Sequence, residues 1–117
     1  MNDLTMKELS DADSIRARIL TIRGVQVMLD RDLAELYGVE VKQLNRQVKR
    51  NIERFPDDFM FQLSNDECSR CQIGTLNEGR GSNLKYKPYA FSENGIAMLS
   101  SVLRSSRAIA VNIQIMR

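Results

Sequence analysis

The stretch LDRDLAELYGVEVKQLNRQVKRN, residues 29–51, constrains the fold most, because one glycine separates two segments with helical periodicity. Asp30 is a favoured N-cap residue, and Leu29 before it suits a hydrophobic staple. Gly38 is the residue best suited to the left-handed conformation that ends many helices. The first helix is therefore predicted to begin after its Asp30 cap and to run to Tyr37, with a sharp turn before the second.

The second helix is predicted to be amphipathic. It begins after Val39, and Pro56 limits its end to about Arg54 or Phe55, because proline disfavours a helical conformation in the residue before it. At 100° per residue the apolar side chains fall within one narrow arc, which predicts a buried stripe. That stripe consists of Val41, Leu44, Val48 and Ile52.

The opposite side of the second helix carries cations and amides. Its centre is Gln43, Arg46 and Arg50, with Lys42 and Lys49 on one flank and Gln47 and Arg54 on the other. Arginine, lysine, asparagine and glutamine match the donors and acceptors on base edges in the major groove of DNA. The pattern favours a helix-turn-helix whose second helix contacts bases, and the alternative is an ordinary solvated amphipathic helix.

Helix geometry predicts individual roles on this face. The side chains expected at base edges are Lys42, Gln43 and Arg46, and those expected at phosphates are Lys49, Arg50 and Arg31 of the first helix. Asn45 is also a candidate DNA-binding residue on the second helix.

Net charge is only +2, but the charges are distributed unevenly along the 117 residues. The second helix forms one basic block, and a second block contains Arg80, Lys85 and Lys87. Such blocks predict a positive face for a polyanion, although ordinary solvated charges would give the same composition. The second block is expected to act as a flexible arm at phosphates or the minor groove, or else as a merely solvated loop.

The remaining elements are predicted from local signals. Residues 11–19 are a short helix, and ILTIRGVQVML is a hairpin that turns at Arg23-Gly24. FMFQLS, with Phe59, Phe61 and Leu63 on one face, is a half-buried strand. Ser64 or Asn65 is expected to cap a brief helix that extends through Cys71.

The second half of the chain continues with a loop, a strand and a helix. GTLNEGRGSN, residues 74–83, is predicted to be a mobile loop. KYKPYAF is a strand, in which Pro88 predicts either an edge position or a bulge. Ser92 caps the next helix.

The tail AIAVNIQIMR, residues 108–117, fits both the alternation of a strand and the spacing of a helix. A helix is favoured because Ser105 and Ser106 offer a cap. The chain stops at Arg117 without a helix-stop signal, which predicts either a truncated chain or a tail that packs against a partner.

Composition argues against several functional classes. The sequence has no histidine, and Cys68 and Cys71 supply only two of the four ligands that a structural zinc site needs. Asp57 and Asp58 are adjacent turn residues, and no phosphate-cradling glycine motif is present. We therefore expect no metal, cofactor, small-molecule substrate or enzymatic activity. We also expect no membrane segment and a cytoplasmic location.

The segments LAELYGV, LNRQVKRN, RFPDDFMFQL and YAFSENG occur in this order. Together they resemble the N-terminal domain of phage antirepressor proteins, the ORF-six N-terminal group of the KilA-N/Bro-N superfamily. The resemblance runs from about Ile19 to the C-terminus. It implies a small α+β DNA-binding domain of phages, prophages and bacterial genomes, often joined to a separate C-terminal domain, with residues 41–51 in the DNA-contacting surface.

The expected fold is thus α+β, with a helix-turn-helix-like helix pair packed on short antiparallel strands. Residues 1–13 are expected to be a polar N-terminal segment, and residues 14–117 the antirepressor-type domain without its C-terminal partner domain. The leading function is sequence-specific binding of double-stranded DNA in transcriptional regulation, with a possible homodimer through the C-terminal helix. The alternative is a protein-interaction module that binds a repressor through the basic face.

Overall fold

The computed structural model describes residues 14–70 and 87–116, and within them it contains a four-stranded sheet and six α-helices. The strands are β1 (Leu20–Ile22), β2 (Val25–Leu29), β3 (Met60–Gln62) and β4 (Tyr89–Phe91). The helices are α1 (residues 14–17), α2 (Asp30–Tyr37), α3 (Val41–Arg50), α4 (Asn65–Arg70), α5 (Glu93–Leu103) and α6 (Ser106–Met116). The predicted α+β class, with a helix-turn-helix-like pair packed on short antiparallel strands, is confirmed.

The predicted hairpin is formed by β1 and β2. Ile22 lies opposite Val25, which leaves Arg23 and Gly24 as a two-residue turn. Both turn residues have positive φ angles, 56° and 73°, as a type I′ turn requires. This turn matches the twist of the two strands and therefore sets their register.

The strand order is β1-β2-β4-β3, and every pairing is antiparallel. Since β4 lies between β2 and β3, the prediction that Pro88 would confine its strand to an edge or cause a bulge is wrong. Pro88 lies immediately before Tyr89, the first strand residue, where its missing N–H costs no ladder bond. Its carbonyl accepts a hydrogen bond from the Leu63 N–H at 2.9 Å.

Both faces of the sheet are covered. Met28, Met60 and Phe91 are buried in the main core with the larger helices, whereas Leu63 and Cys68 belong to a second cluster on the other side. Phe61 and Leu63 share the second cluster, as their predicted common face requires. Met60, on the opposite face, is buried in the main core, so the prediction that only one face of β3 is buried is wrong.

The turn between α2 and α3 is formed as predicted. Gly38 adopts the left-handed conformation with φ of 76°, and the Val39 N–H donates to the Ala34 carbonyl at 3.0 Å. The predicted N-cap is wrong by one residue: Leu29 is the N-cap, and Asp30 is the first helical residue. The buried Asp30 carboxylate instead accepts from its neighbour's backbone N–H, that of Arg31, at 2.7 Å.

The predicted buried stripe of α3 is only partly formed. Leu44 and Val48 are buried, and Val41 packs against the core from a half-buried position. The prediction for Ile52 is wrong, since half of this residue is exposed. The α-helix ends at Arg50 and a 3-10 turn follows, whose tighter winding turns the next residues off the stripe.

Serine side chains cap two helices as predicted. The Ser64 hydroxyl accepts from the Glu67 N–H at 3.1 Å, and the Glu67 carboxylate accepts from the Ser64 N–H at 2.8 Å, which is a capping box. The Ser92 hydroxyl accepts from the Gly95 N–H at the start of α5. The same hydroxyl donates to the Asp58 carbonyl at 2.8 Å, so it also fixes the loop before β3.

The tail is helical, which confirms the favoured alternative and excludes the strand. A buried polar pair holds this helix in place: the Tyr37 hydroxyl donates to the Asn112 Oδ1 at 2.6 Å, and the Asn112 Nδ2 donates to the Ile96 carbonyl at 2.7 Å. Burial raises the pKa of Tyr37. α6 is thereby tied to α2 and α5 at once.

Five predicted segments fall wholly or partly outside the described residues. These are the polar segment 1–13, the helix over residues 11–19, the extension of α4 to Cys71, the loop 74–83 and the strand KYKPYAF over residues 85–91. Of the helix predicted over residues 11–19, residues 14–17 are helical and Ile15 is buried in the main core.

Candidate nucleic-acid interface

The outward side of α3 is cationic and rich in amides, because its largest apolar residues face the core. Its exposed side chains are Lys42, Gln43, Arg46, Lys49 and Arg50. Lys49 and Arg50 lie in the last turn, where positive charge interacts favourably with the helix dipole. Two grooves run along this helix, one on each side.

The first groove, the sheet-side groove, separates α3 from strands β3 and β4 and has a volume of about 840 Å³. Its described lining consists of Val41, Lys42, Asn45, Arg46, Lys49, Arg50, Gln62, Lys87 and Tyr89. Lys87 comes from the second basic block of the sequence. The fold thus brings it beside the cations of the helix, from which it is separated by almost forty residues of chain.

The second groove, the helix-side groove, has a volume of about 320 Å³ and separates α3 from the C-terminal end of α5. Its described lining consists of Val39, Gln43, Leu44, Arg46, Gln47, Arg50, Val102, Leu103 and Arg104. Its floor is apolar, and its polar groups are amides and guanidinium groups.

Arg46 and Arg50 line both grooves, so they form the ridge between them. Lys42 and Lys49 line only the sheet-side groove, whereas Gln43 lines only the helix-side groove. The predicted flank of Lys42 and Lys49 thus lies on the sheet side and Gln47 lies on the helix side, whereas Gln43, predicted at the centre, lies on the helix side.

The electrostatics of this surface are one-sided. Neither groove has an acidic residue in its described lining. Within residues 14–70 and 87–116, the ion pairs join Arg18 to Glu35 and Arg23 to Glu67, and neither involves α3. The charges of the α3 cations are therefore not neutralised by a partner in the described part of the chain.

The Arg23–Glu67 pair shows what a structural arginine looks like in the same molecule. The Arg23 Nε lies 2.7 Å from the Glu67 carboxylate, and the Arg23 guanidinium lies 4.1 Å from the centre of the Phe61 ring. The hydrogen bonds from Arg23 and from the Ser64 N–H lower the pKa of Glu67 to about 2. Arg23 is therefore paired with an acid within the fold, whereas the arginines of α3 form no ion pair in the described part of the chain.

Asn45 has a structural role that the sequence did not reveal. It is half-buried, and its Nδ2 donates to the buried Asp30 carboxylate at 3.0 Å. Among the described residues its Oδ1 has no hydrogen-bond partner. The pair links the start of α2 to the middle of α3, so Asn45 orients the helix rather than projecting from it.

The other predicted site residues are distributed unevenly. Arg31 is half-buried in the first turn of α2 and lines neither groove in the described part of the chain. Arg54 lies beyond α3, where its guanidinium donates to the Ser101 hydroxyl at 3.5 Å. Arg80 and Lys85 lie outside the described residues. The structure therefore gathers the residues of α3 and Lys87 on one surface, without Arg31.

Sequence reasoning missed three groove residues, Gln62, Tyr89 and Arg104. The first two lie on β3 and β4, and only the pairing of these strands brings them beside α3. Arg104 ends α5 and has a positive φ of 55°, which no sequence signal predicts for an arginine. Contacts between distant segments, rather than local patterns, create this part of the surface.

The described part of the chain offers little for other kinds of site. No group of three or more histidine, cysteine, aspartate or glutamate residues could hold a metal ion there. Cys68 is packed in the second core cluster, and Cys71 lies outside that part. No helix of the described residues is both long and apolar enough to span a membrane.

Taken together, the helix-turn-helix-like pair, the antiparallel sheet and the basic ridge define a small α+β domain with a polyanion-compatible surface. The ORF6N domain, as a family model, matches residues 17–102 of the chain. The match covers more than half of the chain, which therefore belongs to the ORF6N domain family. The resemblance found in the sequence is confirmed.

ORF6N domains are a regulatory family rather than a known class of enzymes, and membership suggests a phage-type, antirepressor-like regulatory role. No curated protein and no solved structure matches the chain. The family match ends at Val102, so α6 lies beyond it.

Proposed function

We propose that this protein binds double-stranded DNA sequence-specifically in the cytoplasm and regulates transcription as a phage or bacterial antirepressor-type regulator. In this proposal α2 and α3 are a helix-turn-helix, and α3 enters the major groove. The observation that carries the proposal is the ridge of Arg46 and Arg50 between two grooves whose described linings contain no acid.

The residues of α3 divide into two roles. Lys42, Gln43 and Arg46 meet base edges, because they are exposed within the first six residues of the helix, whose N-terminus enters the groove first. Lys49 and Arg50 contact phosphates, since they lie at its far end. Asn45, the remaining member of the predicted DNA-binding set on α3, positions the helix against Asp30.

Lys87 extends phosphate binding from the helix to the sheet. It is half-buried beside Tyr89, so its position is fixed by the strand that follows it. Arg80 and Lys85, which precede it in sequence, are proposed to continue the same contact along the backbone. Arg31 remains a predicted phosphate ligand on α2.

The regulator acts as a homodimer through α6. Ile109, Ile113 and Met116 are 48%, 50% and 40% exposed and recur at helical spacing on one face. α6 carries no charged residue after Arg107 up to Met116, so two copies can pack without burying charge. A dimer also places two α3 helices on one duplex, which supplies the affinity that a single ten-residue helix lacks.

The proposal is tested by selecting bound sites from random duplex DNA and then titrating salt. Contacts with about 4–6 phosphates predict that log affinity falls with log salt with a slope of about −4 to −5. An enriched palindrome would support the dimer. Failure to bind any duplex at low salt would instead favour the alternative function, in which the basic face binds a repressor protein.

A further inference from the structure

We propose that the helix-side groove is a second phosphate-binding site, and that Arg104 holds the DNA strand opposite to the one held by Lys87. The inference rests on the proposed insertion of α3 into the major groove. Arg104 lies outside α3 and outside both basic blocks of the sequence.

α3 lies between two separate walls. The sheet-side wall contributes Lys87 at the start of β4, and the helix-side wall contributes Arg104 at the end of α5. Arg46 and Arg50 form the ridge between these walls. In its described lining, each groove therefore has one cation that does not come from α3.

The dimensions of the DNA major groove determine what lies on each side of α3. The major groove is about 12 Å wide, and an α-helix with its side chains is about 10–12 Å across, so the helix fills the groove. The two sugar-phosphate backbones border the groove on opposite sides. A protein wall on each side of α3 consequently faces a different strand.

Arg104 has a backbone conformation that is unusual for an arginine. It is the C-cap of α5 in the left-handed region, with φ of 55° and its N–H donating to the Ser100 carbonyl at 3.1 Å. Glycine is the preferred residue at such a position, because other side chains are strained there. The exposed Arg104 side chain forms no hydrogen bond or ion pair with any residue in the described part of the chain. Arginine here thus brings strain without an internal contact to offset it, which is typical of residues kept for a ligand.

The chemistry of the groove suits a phosphodiester. Its apolar floor of Val39, Val102 and Leu103 can pack against deoxyribose, while the guanidinium groups of Arg50 and Arg104 can donate to the anionic oxygens. No acidic residue in the described lining opposes this contact.

The test compares Arg104→Gly with the wild type on a duplex chosen from random DNA by the wild-type protein. The salt slope is expected to become shallower by about 0.9, with affinity roughly three- to tenfold lower, because one phosphate contact is lost. Thermal stability is expected to stay the same or to rise, because glycine relieves the left-handed strain. Arg104→Lys keeps the charge and is expected to keep the slope, and Arg70→Ala controls for the loss of one exposed cation outside both grooves.

Strand assignment uses duplexes with one methylphosphonate at each backbone position in turn. Once the side chain that binds a phosphate is removed, neutralising that phosphate should no longer weaken binding. Arg104→Gly and Lys87→Ala should each identify one such phosphate in this way. The two phosphates should lie on opposite strands. If both positions lie on one strand, or if Arg104→Gly leaves the slope unchanged while the wild type binds, the inference is wrong and the proposed function stands. If the wild type binds no duplex at all, the proposed function and the inference both fall.

Discussion

α3 and α6 have nearly the same length, 10 and 11 residues, and both pack against α2. Each also leaves one face uncovered, but the chemistry of the two faces is opposite. The face of α3 carries lysines and arginines, whereas that of α6 carries Ile109, Ile113 and Met116.

The contrast indicates two different kinds of partner. A charged face is well hydrated in water and gains by exchanging counterions for a polyanion. An apolar face gains by leaving water altogether, at roughly 25 cal/mol for each Å² that is buried. One helix therefore suits nucleic acid and the other suits protein, although both are anchored to the same neighbour.

The largest effect is expected from removing the ridge of α3. The double substitution Arg46→Ala and Arg50→Ala should lower affinity for the selected DNA by about 100-fold or more, because charge-assisted bidentate contacts contribute roughly 1–3 kcal/mol each. Fluorescence anisotropy at fixed salt measures the change. Arg70→Ala provides the matched control, and equal binding by the double variant and the wild type would show that α3 does not contact DNA.

A second effect is expected at the apolar face of α6. Ile113→Glu should convert a dimer to a monomer, since burying a carboxylate beside the partner's isoleucines is unfavourable, and the dimer dissociation constant should rise about 10-fold or more. Sedimentation equilibrium detects the shift. Gln114→Glu adds the same charge on another side of the helix and should leave the dimer intact. If the wild type is a monomer at all concentrations, the proposed dimer is wrong, but the proposed DNA contact of α3 is not affected.

A third effect concerns how α6 is held. Tyr37→Phe removes the hydroxyl that donates to the Asn112 Oδ1, which would then be buried without this donor. The free energy of unfolding should fall by about 1–3 kcal/mol, as measured by urea denaturation. Tyr89→Phe, at a half-buried tyrosine, should have a smaller effect. Equal losses in the two variants would mean that the buried pair does not specify the position of α6.

The smallest effect is expected away from both helices, at the Arg23–Glu67 pair. The pKa of Glu67 is lowered to about 2, below its unfolded value of 4.5, so its carboxylate stabilises the fold above that unfolded value. This stabilisation should be lost as pH falls from about 4.5 to about 2. Because Arg23 is half-exposed, we expect less than about 1 kcal/mol.

Thermal melting of Glu67→Gln at pH 7 and pH 3 measures that contribution. The difference in stability between the variant and the wild type should be larger at pH 7 than at pH 3. DNA binding should be unchanged at pH 7, because Glu67 lines neither groove in the described part of the chain. A variant that loses binding would show that this pair shapes the α3 surface.

Local signals predicted the elements well where one residue type has a strong conformational preference. Gly38 and the Arg23-Gly24 turn ended up where the sequence placed them, because positive φ angles are favourable for glycine. The predicted helix caps at Ser64 and Ser92 were correct for a similar reason, because serine hydroxyls readily accept hydrogen bonds from the N–H groups at a helix start.

The errors came from contacts between distant segments. Pro88 did not place its strand at the edge, because β3 and β2 both reach β4 from elsewhere in the chain. Ile52 left the buried stripe once the helix tightened into a 3-10 turn. The hydrogen bond from Asn45 to Asp30, a buried acid that has to be hydrogen-bonded, was not predicted.

The sequence by itself determined the helix pair, its glycine hinge and the cationic face of α3, because helical periodicity and backbone preference act over a few residues. The tertiary structure alone decided that Lys87 and Arg104 stand on opposite sides of that helix, one on a strand and one at a helix end. It also decided which side of α6 is exposed, through the buried contact between Tyr37 and Asn112, which are 75 residues apart. Such placements depend on packing between segments that no local pattern records.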